Sequence, residues 1–208
     1  MMYFEKSQLH IEKCILSRLE DLEPYHEGFS ELLNGEKLKD NISQLFDEES
    51  VLYKDKINFK MPDRGVFKAH QDVQAGWDRY SKLHITALVS IDASTLENGC
   101  LEMAASQHKQ GLISEQSQPL DEDALNYMLV PTAPGDAVFF DSFAPHRSKP
   151  NLTNKARRML CFTDFPKTII GASIVSINAL AIRRIANGMS IKNMFSESNL
   201  PLDSYAKT

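Results

Sequence analysis

A histidine and an aspartate two positions apart, His70 and Asp72, have the strongest claim to chemistry in this sequence. In an extended strand, side chains two residues apart share a face, so both could point at one metal while Gln71 points away. A third ligand has to come from a facing strand, and His146, just after the apolar run DAVFFD, is the best-placed candidate. Two imidazoles and one carboxylate on one side of a metal leave positions open for a co-substrate and O2. That is the arrangement of non-haem Fe(II) oxygenases. An HxD pair alone carries little weight, because a surface histidine and aspartate account for most such pairs. Both imidazoles must be neutral to bind metal, so metal affinity is expected to fall below about pH 6.

An oxygenase of this kind that uses 2-oxoglutarate needs a cation for the distal carboxylate of that co-substrate, and the planar fork of arginine suits the task. Arg157 and Arg158 are neighbours on an expected strand, so only one can point inward, and alternation alone does not choose between them. Lys56, Asn58 and Lys60 share one face of the strand before the HxD pair, where Lys56 or Asn58 could contact 2-oxoglutarate or a substrate anion; a solvated face is the bland alternative. Gln74 continues the face of His70 and Asp72 if the strand runs that far, and is a candidate substrate contact. Gln71, on the opposite face, is a weaker one. Trp77 and Tyr80 follow, where aromatic walls of a substrate site or simple core packing would both fit. His108 reads as a structural or loop-packing histidine, and His84 as a satisfied core or surface one.

The elements that must position these groups are mainly strands. VLYKDKINFKM alternates, with Tyr53, Asp55, Ile57 and Phe59 on one face and the lysines and Asn58 on the other. PDRG supplies a turn, and VFKAHQDV, LHITALVSID, GCLEMA, MLVPTA, DAVFFD and ARRMLCFTDF follow as further strands. About seven short strands with Gly, Pro and Asn punctuation imply a jelly-roll barrel. The first fifty residues read as helical: Leu9, Ile11, Ile15, Leu16, Leu19 and Leu22 recur at roughly helical spacing, and a second stripe covers residues 37–46. Residues 106–123 read as a long loop ending in a short helix near 124–127, and IVSINALAIRRIANGM as a helix in an otherwise irregular tail. The expected organisation is one domain: a helical part over 1–50, a β core over 51–166, and a helical or irregular tail over 167–208.

From about residue 54 to residue 165, the chain resembles the phytanoyl-CoA dioxygenase family. The matching stretches are KDKINFKMP before HQD, ASTLENGCLEMAASQHKQG, PGDAVFFDSFAPHRSKPN and the following ARR, in that order. The resemblance implies a double-stranded β-helix (a jelly-roll, cupin-like core with flanking helices). It also implies Fe(II) on His70, Asp72 and His146, with 2-oxoglutarate and O2 as co-substrates. The family's interval from the second histidine to the 2-oxoglutarate arginine is eleven positions, which here selects Arg157, and Ser148 is implied as a hydroxyl donor to the same carboxylate. The implied activity is hydroxylation of an unactivated C–H of a small metabolite, with decarboxylation of 2-oxoglutarate to succinate and CO2. Retention of Asp72 favours oxygenation over halogenation, which gives that ligand up to chloride. Leu88 stands where some members carry a tryptophan beside 2-oxoglutarate, and the tail departs from the family's ending.

Composition narrows the partners. A net charge of -5 argues against nucleic acid, and no apolar run is long enough to span a bilayer. The N-terminus lacks a secretory pattern, and Cys14, Cys100 and Cys161 form no CxxC pair, so a cytoplasmic protein with reduced thiols and a small-molecule substrate is expected. The competing reading is a non-catalytic or differently metallated cupin-like protein with a remodelled pocket.

Overall fold

The computed structural model describes residues 1–7, 10, 12–62, 66–115, 118–168 and the backbone of 181–184. Among the described residues, eleven strands and two α-helices are arranged as β1 (Met2–Lys6), β2 (Cys14–Glu20), α1 (Glu27–Asn34), α2 (Glu36–Phe46), β3 (Ser50–Lys60), β4 (Phe67–His70), β5 (Ile85–Ser90), β6 (Leu101–Ala104), β7 (Tyr127–Val130), β8 (Asp136–Asp141), β9 (His146–Ser148), β10 (Arg157–Pro166) and β11 (Ala181–Arg184). They form a seven-stranded sheet, ordered β1-β2-β3-β10-β5-β8-β11, and a four-stranded sheet, ordered β4-β9-β6-β7. Every strand pairing is antiparallel, and the architecture is a jelly roll.

The two-residue period of the strands divides their side chains between two cores. On β10, Leu160 and Phe162 join Ile57 and Phe59 of β3, Ala87 and Val89 of β5, and Ala137 and Phe139 of β8 in a cluster covered by α1 and α2. Those helices contribute Phe29, Leu32, Leu33, Leu38, Ile42 and Phe46. The alternate residues, Met159 and Cys161 of β10, Leu88 of β5, and Val138 and Phe140 of β8, face the smaller sheet and meet Leu101, Met103 and Val130. The candidate site residues on the larger sheet belong to this second face.

Several elements differ from the sequence reading. Helix α2 matches the expected stripe, but residues 14–20 form a strand, and residues 2–6 pair with it. Register explains the false helical spacing. Tyr3 pairs with Arg18 but Phe4 pairs with Leu16, so Ser17 is an extra residue. This bulge lets Leu16 and Leu19, three apart, both pack on the core as residues on one helical face would. Leu9 and Ile11 lie outside the described residues. The segment near 124 is a bend, not a helix; the Asp121 carboxylate accepts the Asp123 N–H at 3.0 Å and offers the backbone a turn instead. In the tail, Ala181–Arg184 pairs with β8 as a strand where a helix was expected, and the rest of that expected helix lies outside the described residues. Among the described residues, no helix is long and apolar enough to cross a membrane.

Asp164, on β10, is 6% exposed. Burial pushes its carboxyl up to about 6, although Ser50 and the Lys39 charge pull the other way. A raised folded-state value means that the native state holds this proton more tightly than the unfolded chain does. The resulting stability is complete below about pH 4 and is lost as pH rises through about 6. Asp164→Asn is therefore expected to gain up to about 3 kcal/mol over the wild type at neutral pH, and to flatten the fall in Tm from about pH 4 to pH 7. Parallel melting curves across that range test this; identical pH profiles would refute it.

Candidate metal centre and cofactor pocket

His70 is the last residue of β4, and the strand does not continue through Asp72. Gln71 keeps an extended backbone (φ -113°, ψ 134°), and Asp72 then opens a 3-10 turn over Asp72–Ala75. One extended residue is enough to carry Asp72 to the side that His70 faces. β4 pairs with β9 so that His70 and His146 are direct cross-strand partners, with ring centroids 4.3 Å apart. The Nε2 atoms of His70 and His146 lie 3.8 and 3.9 Å from Asp72 Oδ1. The possible ligand atoms of the three residues all fall within 4.8 Å of one another.

The surroundings prepare each group to bind a cation. Nδ1 of His70 lies 2.8 Å from the Lys68 carbonyl, and Nδ1 of His146 lies 3.0 Å from the Ala144 carbonyl. A carbonyl only accepts, so each ring carries its proton on Nδ1 and turns the Nε2 lone pair to the centre. Asp72 Oδ2 accepts from the Thr86 hydroxyl at 3.3 Å, and Thr86 is 3.0 Å from the Thr163 hydroxyl, which leaves Oδ1 for the metal. Burial opposes ionisation of Asp72, but His146, Lys56, His70 and Thr86 outweigh it and hold the carboxyl below its ordinary value. Burial is also the main reason that His146 falls to about 4, with His70 pushing the same way against Asp72 and the Ala144 carbonyl. Proton competition at His146 thus begins lower than the expected pH 6. The donor set, with imidazole lone pairs and one anionic oxygen on a single side, fits a divalent iron.

A cavity of about 230 Å³ opens from this centre. At one end Lys60 and Arg157 are cross-strand partners, 1% and 7% exposed, and Lys60 Nζ donates to Ser148 Oγ at 2.6 Å. Arg158 points to the other face, where its Nε and Nη2 each donate to Asp92 at 2.8 Å. The structure therefore makes the choice between the two arginines that alternation left open. Sequence reasoning placed Lys60 on the right strand face but did not select it, because only the β3–β10 register shows that it stands opposite Arg157. Lys56 and Asn58 line the same cavity farther along β3, with Leu88, Phe140, Met159 and Cys161 as its walls.

The four expected substrate contacts are not among the lining residues. Gln71 donates to the carbonyls of Gly111 (2.8 Å) and Phe143 (2.7 Å) and accepts from Ile113 N–H. Gln74 accepts from Gln71 N–H and donates to the carbonyls of Glu115 and Gln118. Both tie the loop after β6 to the metal-bearing segment. The cause is the 3-10 turn, which rotates successive side chains by about a third of a circle instead of alternating them, so Gln74 leaves the face of Asp72. Trp77 packs on Tyr53 and His84 at centroid distances of 5.5 and 5.6 Å, and Tyr80 is 60% exposed.

Comparison with known proteins agrees with this geometry. The phytanoyl-CoA dioxygenase (PhyH) family profile matches residues 5–159. A methylphosphonate hydroxylase of Gimesia maris is 38% identical over 167 residues, covering 78% of this chain and 62% of that protein. A 2-aminoethylphosphonate dioxygenase from an uncultured bacterium is 38% identical over 172 residues, covering 78% and 63%. The chain thus spans somewhat less than two thirds of these relatives' length. Among solved structures, AviO1 from Streptomyces viridochromogenes aligns with a TM-score of 0.66 at 21% identity, over 83% of this chain and 76% of its own. EctD from S. alaskensis, solved with 2-oxoglutarate and 5-hydroxyectoine, aligns with a TM-score of 0.66 at 17% identity, over 74% and 57%. The fold is theirs, and with three quarters of its length inside the family profile, the chain belongs to the phytanoyl-CoA dioxygenase family.

Proposed function

We propose that the protein is an Fe(II)- and 2-oxoglutarate-dependent dioxygenase that hydroxylates a C–H bond of a small phosphonate. The observation that carries this reading is the His70–Asp72–His146 cluster sharing one cavity with the converging Lys60, Arg157 and Ser148. His70 and His146 would hold the metal through Nε2, and Asp72 through Oδ1. With iron, 2-oxoglutarate and O2 bound, the chemistry supplied there is conversion of C–H to C–OH, coupled to decarboxylation of 2-oxoglutarate to succinate and CO2.

The chain's own residues orient and shield that chemistry. Arg157, Lys60 and Ser148 bring two cations and a hydroxyl to one end of the cavity, a set that suits the distal carboxylate of 2-oxoglutarate. Leu88, Phe140 and Met159 exclude water from the space beside the ligands. Thr86 fixes the rotation of the Asp72 carboxylate. The two phosphonate-oxidising relatives support the substrate class, and three unpaired cysteines suit a reducing compartment such as the cytoplasm.

Anaerobic titration with Fe(II) and then 2-oxoglutarate tests the assignment through the weak visible absorption of the chelate. Wild-type protein is expected to develop the band, and His70→Ala and His146→Ala to lose it. Arg157→Ala and Lys60→Met should weaken 2-oxoglutarate about tenfold or more, since each removes a charge-assisted contact. An unchanged affinity in Arg157→Ala would favour other metal chemistry on the same scaffold. Thr86→Val keeps the shape of the side chain but removes the hydroxyl from Asp72. It is expected to lower Fe(II) affinity about tenfold with little change in Tm; equal affinity would show that the hydroxyl does not orient the ligand.

A further inference from the structure

The β2–β3 side of the cavity carries positive charge that the metal and 2-oxoglutarate assignments leave unused. Lys56, Asn58 and Lys60 line it at two-residue steps along one face of β3. Four residues of strand separate Lys56 from Lys60 by roughly 13 Å of backbone, so one carboxylate cannot engage both by the same contact. Lys60 stands opposite Arg157, whereas Lys56 stands opposite Cys161 and feels the charge of Asp72. Cys161 and Asp72 raise the Lys56 pKa in spite of burial, so the ammonium is retained. Burial pushes the Cys161 thiol up, so near neutral pH it is an uncharged neighbour, and its charge acts on Lys56 only at the high pH where both groups titrate. Among the described residues, no ion pair holds Lys56: Asp72 and, more weakly, its β2 cross-strand partner Glu20 act on it at longer range, and the Asn58 side chain makes no hydrogen bond. A partly buried cation beside a metal site needs a counter-ion.

The β2 bulge completes the arrangement. Because Ser17 is an extra residue, strict alternation fails, and both Ser17 and Arg18 line the cavity. Arg18 is the cross-strand partner of Asn58 and stands at the rim with its side chain 36% exposed. It is steadied by the Tyr3 ring, 4.3 Å from its guanidinium carbon, and by Glu20 at 2.9 Å. Glu20 also pairs with Lys54 at 2.8 Å and stands opposite Lys56, so one carboxylate is shared among three cations and the rim stays positive.

We propose that Lys56, Asn58 and Arg18 form a separate oxyanion subsite that receives the phosphonate group of the substrate, while the Arg157 end receives 2-oxoglutarate. The proposal rests on the oxygenase reading above. An ammonium, an amide and a guanidinium approaching from different positions on two strands suit a tetrahedral group with three oxygens better than a planar carboxylate. The subsite also gives the bulged hairpin a role: it delivers Arg18 to a cavity otherwise built by the barrel.

Calorimetric titration under anaerobic conditions tests this with Fe(II)-loaded protein, adding 2-oxoglutarate first and methylphosphonate second. Lys56→Met is expected to weaken methylphosphonate at least about tenfold, and Arg18→Met by several-fold, with the 2-oxoglutarate Kd of both within about threefold of wild type. Retained 2-oxoglutarate binding by the same sample shows that the variant is folded. Arg157→Ala should show the reverse pattern. Equal methylphosphonate affinity in Lys56→Met and wild type would overturn the subsite. So would a loss in Lys56→Met that falls equally on 2-oxoglutarate, or wild-type protein that binds 2-oxoglutarate but not methylphosphonate. Failure of wild-type protein to bind 2-oxoglutarate at all would instead overturn the oxygenase reading beneath it.

Discussion

The antiparallel pairing of β4 with β9 places His70 directly opposite His146, and the metal centre depends on that register. A strand shifted by one residue turns every side chain to the opposite face, so a slip there would send one imidazole away from the cavity. The same constraint acts on the larger sheet. The β10 register with β3 sets Arg157 opposite Lys60 and leaves Arg158 to Asp92 on the far face. The helix-covered cluster of Ile57, Phe59, Leu160 and Phe162 holds this register, because a slip would bring Arg157 and Lys56 into an apolar core.

Around that frame the polar groups are placed to act together. Backbone carbonyls set the tautomers of both histidines, and Thr86 turns one oxygen of Asp72 away from the centre. Gln71, between two of the ligands in sequence, anchors the loop after β6 and the turn that leads into His146. The segment bearing two ligands is therefore tied to the segment bearing the third by an uncharged side chain that is 1% exposed. This is the kind of outer support that keeps a metal site in shape.

Charge then divides the cavity. The lining carries Arg18, Lys56, Lys60, Arg147 and Arg157 against the single carboxylate of Asp72, and Arg147 is already bound to Glu102 at 2.9 Å. Such a space favours anionic occupants, as the proposed 2-oxoglutarate and phosphonate would be.

What the sequence determined by itself was local. Alternation on β3 set Lys56, Asn58 and Lys60 on one face and Ile57 and Phe59 on the other, and the HxD spacing brought His70 and Asp72 together through one extended residue. Order and spacing of the family motifs also singled out His70, Asp72, His146 and Arg157, which the fold brings to one cavity. Tertiary structure decided whatever depended on a partner strand or on a break in periodicity. The bulge at Ser17 made a strand look helical and set Ser17 beside Arg18 in the cavity lining, and the 3-10 turns after Gln71 withdrew Gln74, Trp77 and Tyr80 from it. The selection of Lys60 needed the β3–β10 register. A periodic pattern specifies a face only while the period lasts, and which face meets which neighbour is set by long-range pairing that local sequence does not encode.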